Sequence, residues 1–310
     1  LQRDFAAQTA DPVHVVVTNY SGRVVTALAQ LRDRLAADPR FGPGQVRTGT
    51  GGVADLVIPV RGDPAGEAAI ASVRDLRRHM VQSAFDGTNA DPLVGGSTSE
   101  NIDYVDNVTN PAPLVFAFVL GLSLVLLTIA FRSVVVALTA IALNLLSVGA
   151  AYGLLVLVFQ NGVGAGLLGF TTVDSVEAWV PLFLFAVLFG LSMDYQVFLL
   201  SRIRERYDQG ADTVGSVRWG VASTARIITG AALIIVAVFS GFAAGDLIMF
   251  QQMGFGVAVA LLLDATVIRS VVLPSVMALL GDRNWYLPRW LGWLPHLEVE
   301  RPAEPHRLPV

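Results

Sequence analysis

The chain has 310 residues, of which 54% are apolar and 15% charged, and its mean hydropathy is +0.59. A soluble domain of this size carries more charge, so the composition excludes an ordinary globular enzyme and indicates a membrane protein. The net charge of −4 gives no reason to expect a nucleic-acid partner. The absence of cysteine excludes disulfides and thiolate metal sites.

Charge is distributed unevenly along the chain. Residues 1–112 contain 10 Arg and 13 acidic residues, whereas residues 113–200 contain only Arg132, Asp174, Glu177 and Asp194. We therefore predict a water-exposed domain over residues 1–112, a membrane helix bundle over 113–280 and an interfacial tail over 281–310. The first residues do not resemble a signal peptide, so we expect a hydrophobic segment upstream of this chain.

The first domain alternates between strand and helix patterns. Short runs rich in β-forming residues predict four strands, at 12–18, 45–48, 54–60 and 92–95. One helix is expected from Ser21, a good N-cap, to Ala37, and a second after Pro64. The apolar face of the first would contain Val25, Leu28, Leu31 and Leu35. The resulting β-α-β-β-α-β order is that of the split βαβ, or ferredoxin-like, fold.

Neither glycine nor histidine patterns in this domain predict a cofactor or a metal site. The pairs Gly51-Gly52 and Gly95-Gly96 lack the spacing of phosphate-binding loops and are interpreted as tight turns. His14 and His79 have no partner at metal-ligand spacing and are interpreted as structural. We therefore expect no cofactor and no bound metal.

Five apolar runs follow, each close to the roughly 20 residues that cross the hydrocarbon core of a bilayer. They predict an α+β membrane protein in which the ferredoxin-like domain precedes a bundle of five transmembrane helices. Gly149-x-x-x-Gly153 and Gly241-x-x-x-Gly245 have the spacing of close helix contacts. The runs are 113–131, 134–159, 180–200, 227–244 and 247–268.

Arginine indicates the orientation. Arg132, five arginines between 202 and 226, and Arg269, Arg283 and Arg289 are expected on one side of the bundle, whereas residues 160–179 and 245–246 contain no arginine. Basic loops face the cytoplasm, so we predict a bacterial plasma-membrane protein with residues 1–112 extracytoplasmic and the C-terminus cytoplasmic. The Trp-rich tail from Trp285 to Trp293 is expected on the inner membrane surface.

Asp194 is the residue most indicative of function. It lies inside an apolar run, about 20 Å from Pro181 at ~1.5 Å per residue, too deep for its carboxylate to reach water by snorkelling. Helical spacing places Gly190 and Ser201 on the same face, which predicts that the carboxylate points toward other helices. No basic residue is expected at its depth, so Asp194 is a candidate proton carrier and Tyr195 its hydrogen-bond partner.

Asp264 is a second candidate, either a further relay member or a structural carboxylate paired with Arg269. It is expected near the inner interface, about a turn and a half before that arginine. Two membrane aspartates also admit an intramembrane aspartyl protease, which requires both carboxylates at one depth and within hydrogen-bond distance. Asn144, Ser147 and Gln196 are polar at membrane depth and are assigned no chemistry.

Residues 189–205 (FGLSMDYQVFLLSRIRE) resemble the signature of the MMPL (mycobacterial membrane protein large) branch of the RND transporters. Residues 261–269 (LLLDATVIR), 273–277 (LPSVM) and 281–285 (GDRNW) resemble that family's last helix and its exit. The resemblance covers nearly the whole chain, as the C-terminal half of such a transporter. Gln196 stands where members of the family often have Glu.

The resemblance implies a proton-driven exporter of lipids or other hydrophobic molecules. It further implies that Asp-Tyr pairs from two halves meet in the middle of the bundle, so that Asp194 and Tyr195 form one pair. The implied partners are the lipid substrate, membrane lipids and the N-terminal half of the transporter, and a homo-oligomer is left open. A non-transporting RND relative, which senses lipid or assists translocation, is the alternative from another functional class.

Overall fold

In a computed structural model of the chain, the described residues are 12–19, 22–64 and 66–294. They form two compact units, one ending at Asn110 and the other beginning at Pro111. The predicted N-cap Ser21, and residues 295–310 of the predicted tail, lie outside the described residues.

The first unit is built on a four-stranded antiparallel sheet. Its strands are β1 (Pro12–Val17), β2 (Gln45–Thr48), β3 (Ala54–Pro59) and β4 (Leu93–Gly95), in the order β2-β3-β1-β4. Because β3 lies between β1 and β2, the strands that the first helix connects, the predicted split βαβ arrangement is confirmed.

The turn between β2 and β3 contains Gly51 and Gly52, which have φ values of 78° and 74°. Positive φ at two successive positions strains any residue with a Cβ, so glycine is required for this tight connection. Between β1 and β3, His14 Nδ1 lies 2.8 Å from Asp55 Oδ2, within hydrogen-bond distance.

The helices of the first unit are α1 (Arg23–Ala37), α2 (Glu67–Asp75), a π-helical turn (Leu76–Met80), α3 (Val81–Phe85) and α4 (Ser97–Thr109). Alternate residues of β1 and β3 form the core with Leu28, Leu31 and Leu35 of α1. Val25 is 37% exposed, so its predicted place on the apolar face was wrong. Val24 and Ala27 are buried instead, together with the three leucines.

The second unit consists mainly of long apolar helices, and five helices of the described chain are long and apolar enough to cross a membrane. Several of these helices are longer than the apolar runs that predicted them. The added turns of α8 and α9 contain arginines, whose long side chains suit the ends of membrane helices. The helices are α5 (Ala112–Phe131), α6 (Val134–Leu155), the short α7 (Ala165–Leu168), α8 (Trp179–Asp208), α9 (Thr213–Ala243) and α10 (Ile248–Leu263).

The last span continues far beyond Ile268, where the apolar pattern suggested its end. After α10 come a nine-residue π-helix (Asp264–Val272) and then α11 (Leu273–Leu280). Arg269 was counted as an inner-loop arginine, but it lies within this span and is 4% exposed. Arg269 therefore does not support the predicted orientation. Arg283 and Arg289 do follow α11.

The core of the bundle has two apolar clusters. One includes Val180, Leu184 and Leu188 of α8, and the other includes Leu199, Leu200 and Ile203 of the same helix. Between them, three helices contribute buried polar residues, which we call the polar layer. The polar layer is Asn144 and Ser147 of α6, Ser192 and Gln196 of α8, and Asp264 and Arg269 of the last span.

The end of the last span is tied to the start of α6. Ser133 caps α6 by accepting a hydrogen bond from Val136 N at 3.1 Å, and its hydroxyl donates to the carbonyl oxygen of Asn284. The Asn284 amide is buried and donates to the carbonyl of Met277 at 2.6 Å. These bonds hold the C-terminal end of α11 in place.

Helices α9 and α10 approach closely at a glycine other than those the sequence suggested. A Cβ on Gly254 would lie 2.5 Å from both Ala243 N and Phe239 O of α9. Gly149, Gly153 and Gly241 have no atoms within 4 Å of such a Cβ. The two predicted Gly-x-x-x-Gly contacts are therefore absent among the described residues, and α10 packs on α9 through Gly254 instead.

Gly254→Ala is expected to lower the stability of the bundle by about 1–3 kcal/mol, because the new methyl group meets backbone atoms that cannot rotate away. Unfolding of the chain in detergent, followed by circular dichroism, measures the change. Gly149→Ala is the matched control and is expected to be neutral or to stabilise by up to about 1 kcal/mol through helix propensity. Equal stability of the two variants would contradict the packing described.

Candidate functional site

Ser192 is the centre of the polar layer. Its hydroxyl lies 2.9 Å from Asn144 Oδ1 and 2.8 Å from Asp264 Oδ2. A serine hydroxyl has one proton, so it can donate to only one of these acceptors at a time. Helices α6 and α8 and the last span thus meet in hydrogen bonds that can exchange without any movement of the backbone.

Asp264 and Arg269 form a buried ion pair. Arg269 Nη2 and Nε lie 2.6 and 2.8 Å from the same oxygen, Asp264 Oδ2. The side chains are 4% and 5% exposed, and Arg269 Nη2 also donates to Ser192 Oγ at 2.9 Å and to the Ser192 carbonyl. Inside the bundle, these bonds offset part of the large cost of removing two charges from solvent.

Arg269 also contacts the ring of Tyr195. Its guanidinium carbon lies 5.3 Å from the ring centroid, within the range of a cation–π interaction. The expectation that no basic residue lies at the depth of Asp194 was therefore wrong. The arginine reaches this depth because it belongs to the last span rather than to the loop that follows it.

Asp194 lies close to the middle of α8, about 22 Å from Trp179 and about 21 Å from Asp208 along the helix axis. Its side chain is exposed on the surface of the bundle, and it makes no hydrogen bond or ion pair with the described part of the chain. Gly190 and Ala186, one and two turns earlier, are also exposed. The predicted orientation toward other helices is therefore not met by the helices of this chain.

Asp264 lies deeper than the sequence suggested. Its bond to Ser192 places it at the level of the middle of α8, and not near the inner interface. It is paired with Arg269, which was one of the two roles left open for it. The sequence estimate failed because it took Arg269 as the end of the helix.

The two membrane aspartates point in different directions. Residues 192 and 194 are about 200° apart around an α-helix, so Asp264 lies against one face of α8 and Asp194 projects from the opposite one. An aspartyl protease needs its two carboxylates to share a proton at hydrogen-bond distance. This arrangement counts against the protease alternative.

Sequence reasoning found Asp194, Tyr195 and Asp264, and it gave the pairing of Asp264 with Arg269 as one of two alternatives. It missed the roles of Ser192 and Asn144 and the contacts of Arg269 with Ser192 and Tyr195. The signal for Ser192 and Asn144 was their polarity at the middle of an apolar helix, which was noticed for Asn144 but assigned no chemistry. Arg269 gave no such signal, because its position relative to Ser192 depends on the helix type between residues 264 and 272.

Several polar atoms of the layer are buried but have no partner among the described residues. They are Asn144 Nδ2, Ser147 Oγ, Gln196 Oε1, Asp264 Oδ1 and Arg269 Nη1. Buried polar atoms are usually paired, and a group of unpaired ones can bind water. Over residues 12–19, 22–64 and 66–294, no cluster of three or more His, Cys, Asp or Glu residues could hold a metal ion.

Comparison with known proteins places this geometry in context. The family model described as "MMPL family" matches residues 6–303. The mycolic acid-containing lipids exporter MmpL11 of Mycolicibacterium smegmatis is 44% identical over 77% of this chain and 25% of its own length. The heme uptake protein MmpL11 of Mycobacterium tuberculosis (strain H37Rv) is 47% identical over 89% of this chain and 28% of its own length.

The trehalose monomycolate exporter MmpL3 of Mycolicibacterium smegmatis is 40% identical over 64% of this chain and 20% of its own length. The chain therefore spans about a quarter of the length of the curated relatives it matches. The resemblance carried by residues 189–205 and 261–285 is confirmed at the level of the family.

Arg269→Leu is expected to lower the free energy of unfolding by about 3–5 kcal/mol, because it leaves the Asp264 carboxylate buried without a counter-ion. The double variant Asp264→Leu/Arg269→Leu should regain most of that loss, since neither charge remains. Denaturant-induced unfolding in detergent micelles measures both. Arg206→Leu, at an exposed position of α8, is the control and should change stability by about 0.5 kcal/mol or less. A double variant as unstable as the single one would contradict the pairing.

Proposed function

Because the chain belongs to the MMPL family, we propose that it forms the C-terminal part of a proton-driven exporter of lipids or other hydrophobic molecules. Asp194 takes up and releases the transported proton, and Tyr195 donates a hydrogen bond to a carboxylate of the relay. The observation that carries the proposal is an aspartate at the middle of a membrane helix, without a counter-ion in the described chain, beside a buried polar layer.

The free-energy cost of exposing Asp194 to lipid favours a covered position for this side chain in the working protein. An aspartate at the centre of a membrane helix costs about 2.5–3.5 kcal/mol when it faces lipid. Ala186, Gly190 and Asp194 lie along one exposed face of α8. The first two are small residues, so a second helix can approach this face closely. The family resemblance supplies the occupant, an Asp-Tyr helix from the N-terminal half of the transporter.

The mechanism needs only proton transfer and helix repacking. A proton from the outside binds the Asp194 carboxylate and removes its charge, the helices repack, and release of the proton to the cytoplasm restores the charge. Moving one charge across the membrane supplies about 2.3 kcal/mol per 100 mV. That energy shifts the extracytoplasmic unit between shapes that accept and release substrate.

The polar layer lies on the face of α8 opposite Asp194, so it does not contact the proposed proton carrier. The unpaired atoms of Asn144, Gln196 and Asp264 provide donors and acceptors that can bind water there. Ser192 can exchange its donated hydrogen bond between Asn144 and Asp264. The layer therefore offers hydrogen bonds that can rearrange when the helices repack.

A lipid cargo is supported by the names of two relatives, one an exporter of mycolic acid-containing lipids and one of trehalose monomycolate. A third relative is described by heme uptake, and heme is also a flat, largely hydrophobic molecule. The shared property is low polarity, so we propose a hydrophobic cargo and do not assign its head group.

The proposed topology places the first unit outside the plasma membrane and the C-terminus in the cytoplasm. Arg132 and the arginines at the end of α8 and the start of α9 lie on the inner side in this orientation. Trp290 and Trp293 are 74% and 76% exposed, as expected for side chains that lie at the membrane surface.

Asp194→Asn in a complete transporter carrying this sequence is expected to abolish proton uptake and export, because asparagine cannot bind and release a proton. Proteoliposomes loaded with pyranine report proton uptake under an imposed pH gradient. Asp246→Asn makes the same change in the turn between α9 and α10, where the side chain is exposed, and should leave uptake within twofold of the parent.

Both variants should reach the membrane at the level of the parent, since neither loses a hydrogen bond of the described chain. Uptake by the Asp194→Asn protein at the parental rate would refute the relay. A loss of uptake in both variants would also refute it, because the effect would then not be specific to position 194.

A further inference from the structure

The π-helix Asp264–Val272 is the longest π-helix in the described part of the chain. Its hydrogen bonds join residues five apart, and the Ser270 hydroxyl likewise reaches back five residues to the Ala265 carbonyl at 3.1 Å. Helices of this type are rare and mostly short, and they often occur at functional sites. Nine residues of it in one span therefore require a physical reason.

The reason is visible in which residues are buried. Asp264, Ile268, Arg269 and Leu273 are buried, whereas Thr266, Val267, Ser270 and Val271 are exposed. In an α-helix, Arg269 would lie about 140° from Asp264 around the axis, and Leu273 would lie on the opposite side. In a π-helix, residues five apart lie on the same face, so one face can carry all four buried residues.

The consequence is that the Asp264–Arg269 pair depends on the helix type. Conversion of the stretch to α-helix would rotate Arg269 away from Asp264 Oδ2, which it now contacts at 2.6 Å. It would also remove the guanidinium from Ser192 and from the Tyr195 ring, 5.3 Å from its carbon. Ser192 and Tyr195 flank Asp194 in the sequence, and both contact Arg269. The helical register of residues 264–272 therefore determines these contacts.

Both ends of the π-helix are held in place. Toward the outer side, Gly254 fixes α10 against the backbone of α9. Toward the inner side, Asn284 and Ser133 hold the end of α11 through buried hydrogen bonds. A helix fixed at both ends cannot rotate freely to relieve its irregular register, so the surrounding packing maintains it.

We propose that the π-helical register of residues 264–272 makes Arg269 the residue that positions Tyr195, and through it the Asp194–Tyr195 pair. The proposal rests on the proposed function for its effect on transport. Arg269 does not carry the proton in this account. It is a positioning residue, and the π-helix is the element that delivers it.

Two single deletions test the proposal as a matched pair. Val267 and Val271 are 45% and 59% exposed, so removal of either costs little packing, and either deletion shortens the π-helix by one residue. Deletion of Val267 places Asp264 and Arg269 four apart, which an α-helix also holds on one face. Deletion of Val271 leaves them five apart, so a stretch that becomes α-helical separates them.

The first measurement uses the chain itself, labelled with 3-fluorotyrosine and studied by fluorine NMR in nanodiscs. The chain has six tyrosines, and a Tyr195→Phe sample identifies the resonance of position 195. We expect that resonance to stay close to its parental position in the Val267 deletion and to move in the Val271 deletion. This result does not depend on transport.

The second measurement is proton uptake by proteoliposomes of the complete transporter, with the parent and Asp194→Asn alongside. The Val267 deletion should retain uptake within twofold, and the Val271 deletion should lose it at least tenfold. Equal behaviour of the two deletions in either measurement overturns the proposal. A shift of the Tyr195 resonance without a difference in uptake overturns the positioning role.

Arg269→Lys provides a variant that keeps the charge and the helix length if a deletion fails to reach the membrane. Lysine lacks the planar guanidinium, so it cannot bind Asp264 through two nitrogens or stack on the ring. We expect the Tyr195 resonance to move and uptake to fall at least fivefold, and a parental spectrum and rate would overturn the proposal. Parental uptake by Asp194→Asn would instead refute the proposed function, and the NMR result would still decide the register.

Discussion

The cost of placing charge in a medium without water governs the membrane half of this protein. Asp264 and Arg269 are tolerated inside the bundle only as a pair, and Ser192 adds a hydrogen bond to each partner. Apolar clusters enclose this group on either side, and the low dielectric constant of these surroundings strengthens the attraction. The π-helix from 264 to 272 places both charged residues on the same face, where they can pair.

Asp194 is subject to the same cost, but it has no partner in the described chain. Its carboxylate lies at the same depth as the polar layer, yet the described chain provides no counter-ion for it. The pairing satisfies one oxygen of Asp264, whereas the Asp194 carboxylate makes no hydrogen bond or ion pair with the described residues. In the proposed function, the paired aspartate belongs to a rigid frame and the unpaired one carries the proton.

How far the sequence led can be judged from particular residues. The strand runs, the turn at Gly51-Gly52 and the split βαβ order followed from local patterns, and the structure confirms the fold. Val25 was misplaced because a helix face read from four residues can be off by one position. Asp264 was placed too shallow, and Arg269 was taken for a loop residue, because both estimates assumed an α-helix that ended at Ile268.

The sequence by itself determined the class of the protein, its two kinds of domain, its family and the aspartate on which the proposed function depends. Each of these is written in composition or in short-range patterns, which do not require knowledge of the neighbouring helices. Only the tertiary structure decided which glycine lets α10 approach α9, which face of α8 is left open, and which aspartate is paired. These depend on contacts between helices distant in sequence and on a change of helical register, and neither leaves a reliable mark on local periodicity.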